Sequence, residues 1–287
     1  MSRIKNAFQN GKAFIAFITC GDPDLETTAK VIRAAAANGA DLIELGIPFS
    51  DPTAEGPVIQ NANLHALQNG VTTDKILDFV RALRTDPQDP VTLPMVFMTY
   101  ANVVFSYGYS GPEQGAPGCD DPDRDMLYSG SELFLRKAAE AGIDGIILPD
   151  VPFEEKEDFA PLCRKYGIDF ISMIAPTSEN RISMIAREAS GFLYIVSSLG
   201  VTGERSSIST DLDGMISLVR AATDIPCAIG FGISTPEQAA VMAAKADGAI
   251  VGSAIVRLIE QYGTEAAGPV GAYVKSMKTA CVKGSAS

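Results

Sequence analysis

The chain has 287 residues, 46% of them hydrophobic, which is enough to bury the core of one large α/β domain or of two small ones. A formal net charge of -12 argues against a nucleic-acid-binding or membrane-surface protein, since both depend on clustered Lys and Arg. The five cysteines, Cys20, Cys119, Cys163, Cys227 and Cys281, are scattered and odd in number, a pattern of reduced thiols rather than of a disulfide framework or a zinc site.

Residues 1–10 carry Arg3 and Lys5 but no apolar core of signal-peptide length, and no uncharged apolar run approaches a membrane span, so the protein is expected in the cytoplasm. From there, short apolar runs alternate with helical sequence. Ala13 to Thr19 is the first strand, followed by a helix from about Leu25 to Asn38 that Gly39 closes. Asp41 to Gly46 is the second, followed by helical sequence at Pro57 to Gln68 and Thr73 to Leu83. Pro94 to Met98 is the third, with its helix at Ser131 to Glu140. Gly145 to Leu148, Asp169 to Met173, Phe192 to Val196, Cys227 to Gly230 and Ala249 to Val251 complete eight strand-helix units.

The strands lack polar alternation. Runs such as Leu193, Tyr194, Ile195 and Val196 read as strands covered on both faces, and therefore as parallel ones. An open doubly wound sheet is the competing architecture. Eight consecutive units without a two-part split favour closure into a single (β/α)8 TIM barrel covering residues 1–287. One segment, Tyr107 to Gly130, breaks the rhythm with four glycines, three prolines and several aspartates before Ser129; it reads as a loop insertion, either a solvated excursion or part of a lid or partner surface.

In a parallel barrel the carboxyl ends of the strands converge, so chemistry is sought there. Three glycine-rich stretches fall at such ends: Gly200-Val201-Thr202-Gly203, Gly230-Phe231-Gly232-Ile233-Ser234 and Gly252-Ser253. Together they describe a phosphate cradle in which backbone N–H groups approach the anion and the following helices aim their positive ends at it. Glycine can also end a strand for steric reasons alone. Glu44 lies inside the second strand, where an ionised side chain is costly unless paired or used, so a structural ion pair and catalysis both stay open. Glu55 and Asp51 add carboxylates on the loop over the barrel mouth, and Glu44 with Glu55 suggests acid-base work.

His65 is the single histidine and lies in helical sequence, which disfavours a histidine-based metal site. No lysine sits at a strand end. Cleavage of a carbon–carbon bond in a sugar phosphate then needs an electron sink within the substrate itself, and an indole ring protonated at C3 would serve.

The run Glu44-Leu45-Gly46-Ile47-Pro48-Phe49-Ser50-Asp51-Pro52-Thr53-Ala54-Glu55-Gly56-Pro57 closely resembles the signature of tryptophan synthase alpha subunits. The resemblance extends in order over Phe17 to Pro23, Tyr100-Ala101-Asn102, Asp150-Val151-Pro152, Gly200 to Gly203, Gly232 to Gln238 and Gly252 to Val256. It implies retro-aldol cleavage of indole-3-glycerol phosphate, with Glu44 as the catalytic glutamate that exchanges protons with the glycerol hydroxyl and indole C3. Glu55 matches a second carboxylate, usually an aspartate, that accepts the indole N–H; the extra methylene is a departure from the family pattern. Tyr194 matches a tyrosine near the catalytic glutamate, and Thr202 the threonine of a mobile loop, here Ser197 to Ser207. Gly203, Gly232, Gly252 and Ser253 match phosphate-binding positions, and Phe17 and Tyr100 resemble indole-pocket residues.

The resemblance also implies a partner: a pyridoxal-phosphate-dependent beta subunit in an alpha2beta2 tetramer, contacted near Pro48, Asp51 and Thr53, with no cofactor in this chain. A free-standing indole-3-glycerol phosphate lyase and a catalytically silent partner of a beta subunit are the alternatives. A sugar-phosphate isomerase or epimerase on the same fold would share the cradle.

Overall fold

The structure, a computed structural model, describes residues 3–108, 122–176, 179–197, 211–230 and 232–283, with the backbone alone for 122–128. Its strands are β1 (Ala13–Thr19), β2 (Leu42–Gly46), β3 (Met95–Met98), β4 (Gly145–Ile147), β5 (Asp169–Phe170), β6 (Met173–Ile174), β7 (Leu193–Val196), β8 (Cys227–Gly230) and β9 (Gly248–Val251). All pairings are parallel, in the order β5-β4-β3-β2-β1-β9-β8-β7-β6. The two edges of that sheet are consecutive pieces of one extended segment. Between them the Ile171 N–H donates to Ile146 O at 2.9 Å and the Tyr194 N–H to Ser172 O at 3.0 Å. The fifth strand therefore gives its first half to β4 and its second half to β7, and the sheet closes into an eight-stranded barrel.

The helices are α1 (Leu25–Ala37), α2 (Pro57–Gln68), α3 (Thr73–Thr85), α4 (Ala101–Phe105), α5 (Pro122–Ala141), α6 (Ala160–Tyr166), α7 (Glu179–Arg187), α8 (Leu212–Ala222), α9 (Pro236–Lys245), α10 (Ser253–Tyr262) and α11 (Ala267–Lys283). Residues 109–121 of the expected insertion lie outside the described residues, and 122–130, read as loop from composition, form the first half of α5. Pro122 at the first helical position is the local reason, since its fixed φ suits a helix start and its missing N–H has no helical partner there.

Alternation along the strands divides the apolar residues into two cores. Ile15, Phe17, Leu42, Val96, Met98, Ile147, Ile171, Tyr194, Val196 and Ile250 fill the barrel interior. Phe14, Ile18, Ile43, Leu45, Phe97, Ile195, Ile229 and Val251 face outward beneath the helices. This explains the unbroken hydrophobic runs, because both faces of every strand are covered.

An N-terminal 3-10 helix, Arg3–Phe8, places Ile4 and Ala7 in the inner core and so plugs the end of the barrel where the strands begin. It is fastened electrostatically. The Arg3 Nε bonds Asp144 Oδ1 at 2.7 Å, while Asp144 Oδ2 accepts from Arg84 and from the Met95 N–H, each at 2.9 Å. Arg84 also donates to Val91 O and Leu93 O, and burial pushes its pKa down to about 10 against the pull of Asp144.

Candidate active site

Glu44 is the middle residue of β2, with Phe17 of β1 and Val96 of β3 as its register partners. Two residues from Leu42, it points to the barrel axis as Leu42 does. It is 1% exposed, and its Oε2 has no hydrogen-bond partner among the described residues. Among the described residues no basic group compensates it. Burial, reinforced by the charge of Glu55, lifts its pKa from 4.5 to about 8. The ion-pair reading of Glu44 thus finds no cation among the described residues, and the geometry there leaves an unspent acid at the mouth of an apolar barrel.

Glu55 comes from the loop between β2 and α2 and is also buried, at 4% exposure. Burial raises its pKa, and the Tyr100 hydroxyl, which donates to Glu55 Oε2, works in the opposite direction. Tyr100 follows β3. Its hydroxyl accepts the Ala54 N–H at 3.0 Å, and its ring stacks on Phe49 with centroids 5.0 Å apart. One tyrosine therefore fixes both the backbone and the side chain of the carboxylate loop. Sequence singled out Tyr100 as a pocket wall; its grip on Glu55, and the part played by Phe49, emerge only from the fold.

Tyr194 of β7 lies in the inner layer at 5% exposure, and burial together with the nearby charge of Glu44 raises its pKa. A Cβ on Gly230 would stand 2.4 Å from the Tyr194 hydroxyl oxygen, so that glycine makes room for the phenol. Phe17 is accommodated in the same way. A Cβ on Gly46 would be 2.7 Å from its Cζ, and one on Gly252 would be 3.3 Å from its Cδ1. The ring thus spans from the end of the Glu44 strand to the start of α10.

At that start Gly252 is the N-cap and supplies no side-chain bond; its carbonyl accepts the Ile255 and Val256 N–H groups, which leaves those of Ser253 and Ala254 to be satisfied from outside the helix. The start of α9 differs. Gln238 Oε1 accepts the Ser234 N–H at 2.8 Å and the Thr235 N–H at 3.2 Å, while Thr235 Oγ1 accepts the Gln238 N–H at 3.3 Å. This capping box spends donors that the sequence had assigned to an anion. Gly232, with φ +83°, lies just before it, and Gly252 and Ser253 are partly exposed. Thr202, Gly203 and all but Ser197 of the expected lid lie outside the described residues. Of the three expected partner-contact residues, Asp51 and Thr53 are exposed and Pro48 is buried.

Among the described residues there is no group of three or more His, Cys, Asp or Glu that could hold a metal ion, and no helix long and apolar enough to cross a membrane. An apolar barrel with two buried carboxylates beside an open helix start defines an enzyme that moves protons on an anionic organic substrate.

The model of the tryptophan synthase alpha chain family matches residues 4–114 and 124–282, leaving 115–123 unmatched. The tryptophan synthase alpha chain of Lacticaseibacillus casei is 43% identical over 280 residues, covering 98% of this chain and 96% of that protein. That of Geobacter sp. (strain M21) is 42% identical, covering 99% and 100%. The crystal structure of the alpha chain from Legionella pneumophila subsp. pneumophila superposes with a TM-score of 0.79 at 34% identity, covering 98% and 97%. The chain belongs to the tryptophan synthase alpha chain family, and it is a carbon–carbon lyase that cleaves indole-3-glycerol phosphate to indole and glyceraldehyde 3-phosphate.

Proposed function

We propose that Glu44 carries the proton through this cleavage. The observation behind this is a buried carboxyl with no partner on Oε2 among the described residues and a pKa raised to about 8, protonated at neutral pH yet able to ionise. Glu44 gives its proton to indole C3, which places a positive charge on the ring nitrogen. The resulting carboxylate takes the proton of the adjacent glycerol hydroxyl. As that oxygen becomes the aldehyde, the C3–C bond breaks and its electron pair restores the indole. The proton lent to C3 stays there and the hydroxyl proton remains on Glu44, so the carboxyl returns to its starting state.

Glu55 accepts the indole N–H and offsets the charge at the ring nitrogen, with Tyr100 orienting it. Phe17, Tyr100 and Tyr194 enclose the ring, and Tyr194 stands beside Glu44. Gly232, Gly252, Ser253 and Gly203 hold the phosphate, Gly252 and Ser253 through the open start of α10, and Thr202 belongs to the loop that closes the site. The chain acts as one barrel with an insertion at about 107–130 and uses no cofactor of its own. It works in the cytoplasm within an alpha2beta2 tetramer whose beta subunit holds pyridoxal phosphate. The contact runs over Asp51 and Thr53, with Pro48 shaping their loop. A relative of known structure is described as tryptophan synthase from Mycobacterium tuberculosis, and it shares 30% identity with this chain at a TM-score of 0.79.

The test is indole release from indole-3-glycerol phosphate by the purified chain, alone and with a tryptophan synthase beta subunit. Slow release that rises with beta supports the proposal. Fast release unaffected by beta identifies a free-standing lyase, and no release in either case identifies a silent partner.

A further inference from the structure

The segments that follow β3 and β4 leave the barrel side by side, because Met98 pairs with Ile147 and the Thr99 N–H donates to Ile147 O at 3.1 Å. After β4 the chain turns at Leu148-Pro149-Asp150-Val151, closed by the Val151 N–H on Leu148 O at 3.2 Å, with a proline where its fixed φ suits such a turn. The turn brings Asp150 to the start of α4. Both oxygens of its carboxylate accept the Ala101 N–H, at 3.1 and 3.0 Å. Tyr100, the N-cap of α4, supplies no side-chain bond of its own, so the first helical N–H is satisfied by a residue 49 positions away. Asp150 is exposed, and among the described residues no basic side chain pairs with it. Its carboxylate is committed to a backbone group rather than to an ion pair.

The peptide that it holds joins Ala101 to Tyr100, whose hydroxyl donates to Glu55 Oε2 and accepts the Ala54 N–H at 3.0 Å. The phenol oxygen is at the far end of a long rigid side chain, so a small tilt of the Tyr100 backbone becomes a larger displacement at Glu55, and misplacing a group that meets the substrate is costly. We infer, on the reading of Glu55 as the acceptor of the indole N–H, that Asp150 is a positioning residue: by holding the peptide between Tyr100 and Ala101 it keeps the Tyr100 hydroxyl on Glu55, and Glu55 on the indole.

A second effect is electrostatic. Glu44, Tyr100 and Asp150 are each coupled to the charge of Glu55, and the negative charge of Asp150 adds to the burial that raises the Glu55 pKa. Removing that charge while keeping the hydrogen bond therefore lowers it.

The test is kcat/KM for indole release from indole-3-glycerol phosphate by the full chain without a beta subunit, so that no partner contact enters. Asp150→Ala, which removes the acceptor, is expected to lose about tenfold. Asp150→Asn keeps an oxygen for the Ala101 N–H and is expected to stay within about threefold of the wild type at neutral pH, with the acid limb of its pH profile moved to lower pH. In a Tyr100→Phe background, where the hydroxyl is already gone, Asp150→Ala is expected to cost no more than about twofold further. Glu55→Gln checks the underlying reading and is expected to lose about tenfold or more. Wild-type turnover in Glu55→Gln would remove the role of Glu55 and that of Asp150 with it. A crippled Glu55→Gln beside a normal Asp150→Ala, or the same loss from Asp150→Ala with and without the Tyr100 hydroxyl, would overturn the role of Asp150 alone. A stationary acid limb in Asp150→Asn, the variant that keeps the bond if Asp150→Ala does not fold, would overturn it as well.

Discussion

Replacing Glu44 with glutamine is expected to remove the activity and, as pH rises, to stabilise the fold. The folded protein holds the Glu44 proton up to about pH 8, whereas the unfolded chain releases it near 4.5. The raised pKa means that the folded state binds the proton more tightly, so the wild type loses stability as pH climbs between those values. At about 1.4 kcal/mol per unit, the loss is about 1 kcal/mol at pH 5, about 3 kcal/mol at pH 7 and approaches 5 kcal/mol well above pH 8. Glutamine has no such dependence. Its buried amide carries a pH-independent cost of about 1–3 kcal/mol where it stays unbonded, so the quantity to read is the slope rather than the offset. Urea unfolding of both proteins at pH 5 and pH 7 should show the difference in stability moving by about 2 kcal/mol in favour of Glu44→Gln. In the same samples indole release should fall by about 100-fold or more. A difference in stability that is flat across that interval would refute the assignment of an uncompensated buried acid. Near-normal turnover would refute Glu44 as the proton carrier.

Tyr100→Phe removes the bond that holds the Glu55 pKa down, so kcat/KM should drop about tenfold and the acid limb of its pH profile should move upward; an unmoved limb would separate Tyr100 from Glu55. Gly46→Ala drives a methyl group into the Phe17 ring and should cost about tenfold in activity, with Phe17→Leu in that background restoring part of it; no recovery in the double variant would show that the ring is not what Gly46 accommodates. Arg84→Met strips Val91 O and Leu93 O of their donor and leaves Asp144 to Arg3, so unfolding free energy should fall by about 3–5 kcal/mol; a loss under about 1 kcal/mol would make the cluster dispensable.

The strand positions were readable because burial on both faces writes itself into the sequence as short unbroken apolar runs, and each run ends at a glycine or a polar turn. Composition misled at 122–130, where aspartates, a proline and a glycine read as loop but the proline opens α5. Glu44 stood out as a charge within such a run. What escaped were relations between distant residues: Tyr100 and Glu55 are 45 positions apart, and nothing in either segment marks a hydrogen bond between them. The capping box of α9 could have been found, because Thr235 with Gln238 three residues later is its signature. The motif was read instead as part of a phosphate cradle. The N-terminal plug had no such signal, since Arg3, Asp144 and Arg84 converge only once the barrel has closed.

The divided fifth strand gives the barrel a clasp. Every other neighbour in the ring shares one uninterrupted ladder, but β4 and β7 are joined through two-residue pieces bridged at Ile171 and Ser172. Unfastening it breaks few hydrogen bonds and leaves an open nine-piece sheet still held through β1 and β9, so the cylinder can breathe without unfolding. The amides of Ile171 and Tyr194 should then exchange with solvent faster than other strand amides, by a sub-global route. Tyr194 lies on that lip, so each opening would admit water to the interior that Glu44 faces from the opposite wall.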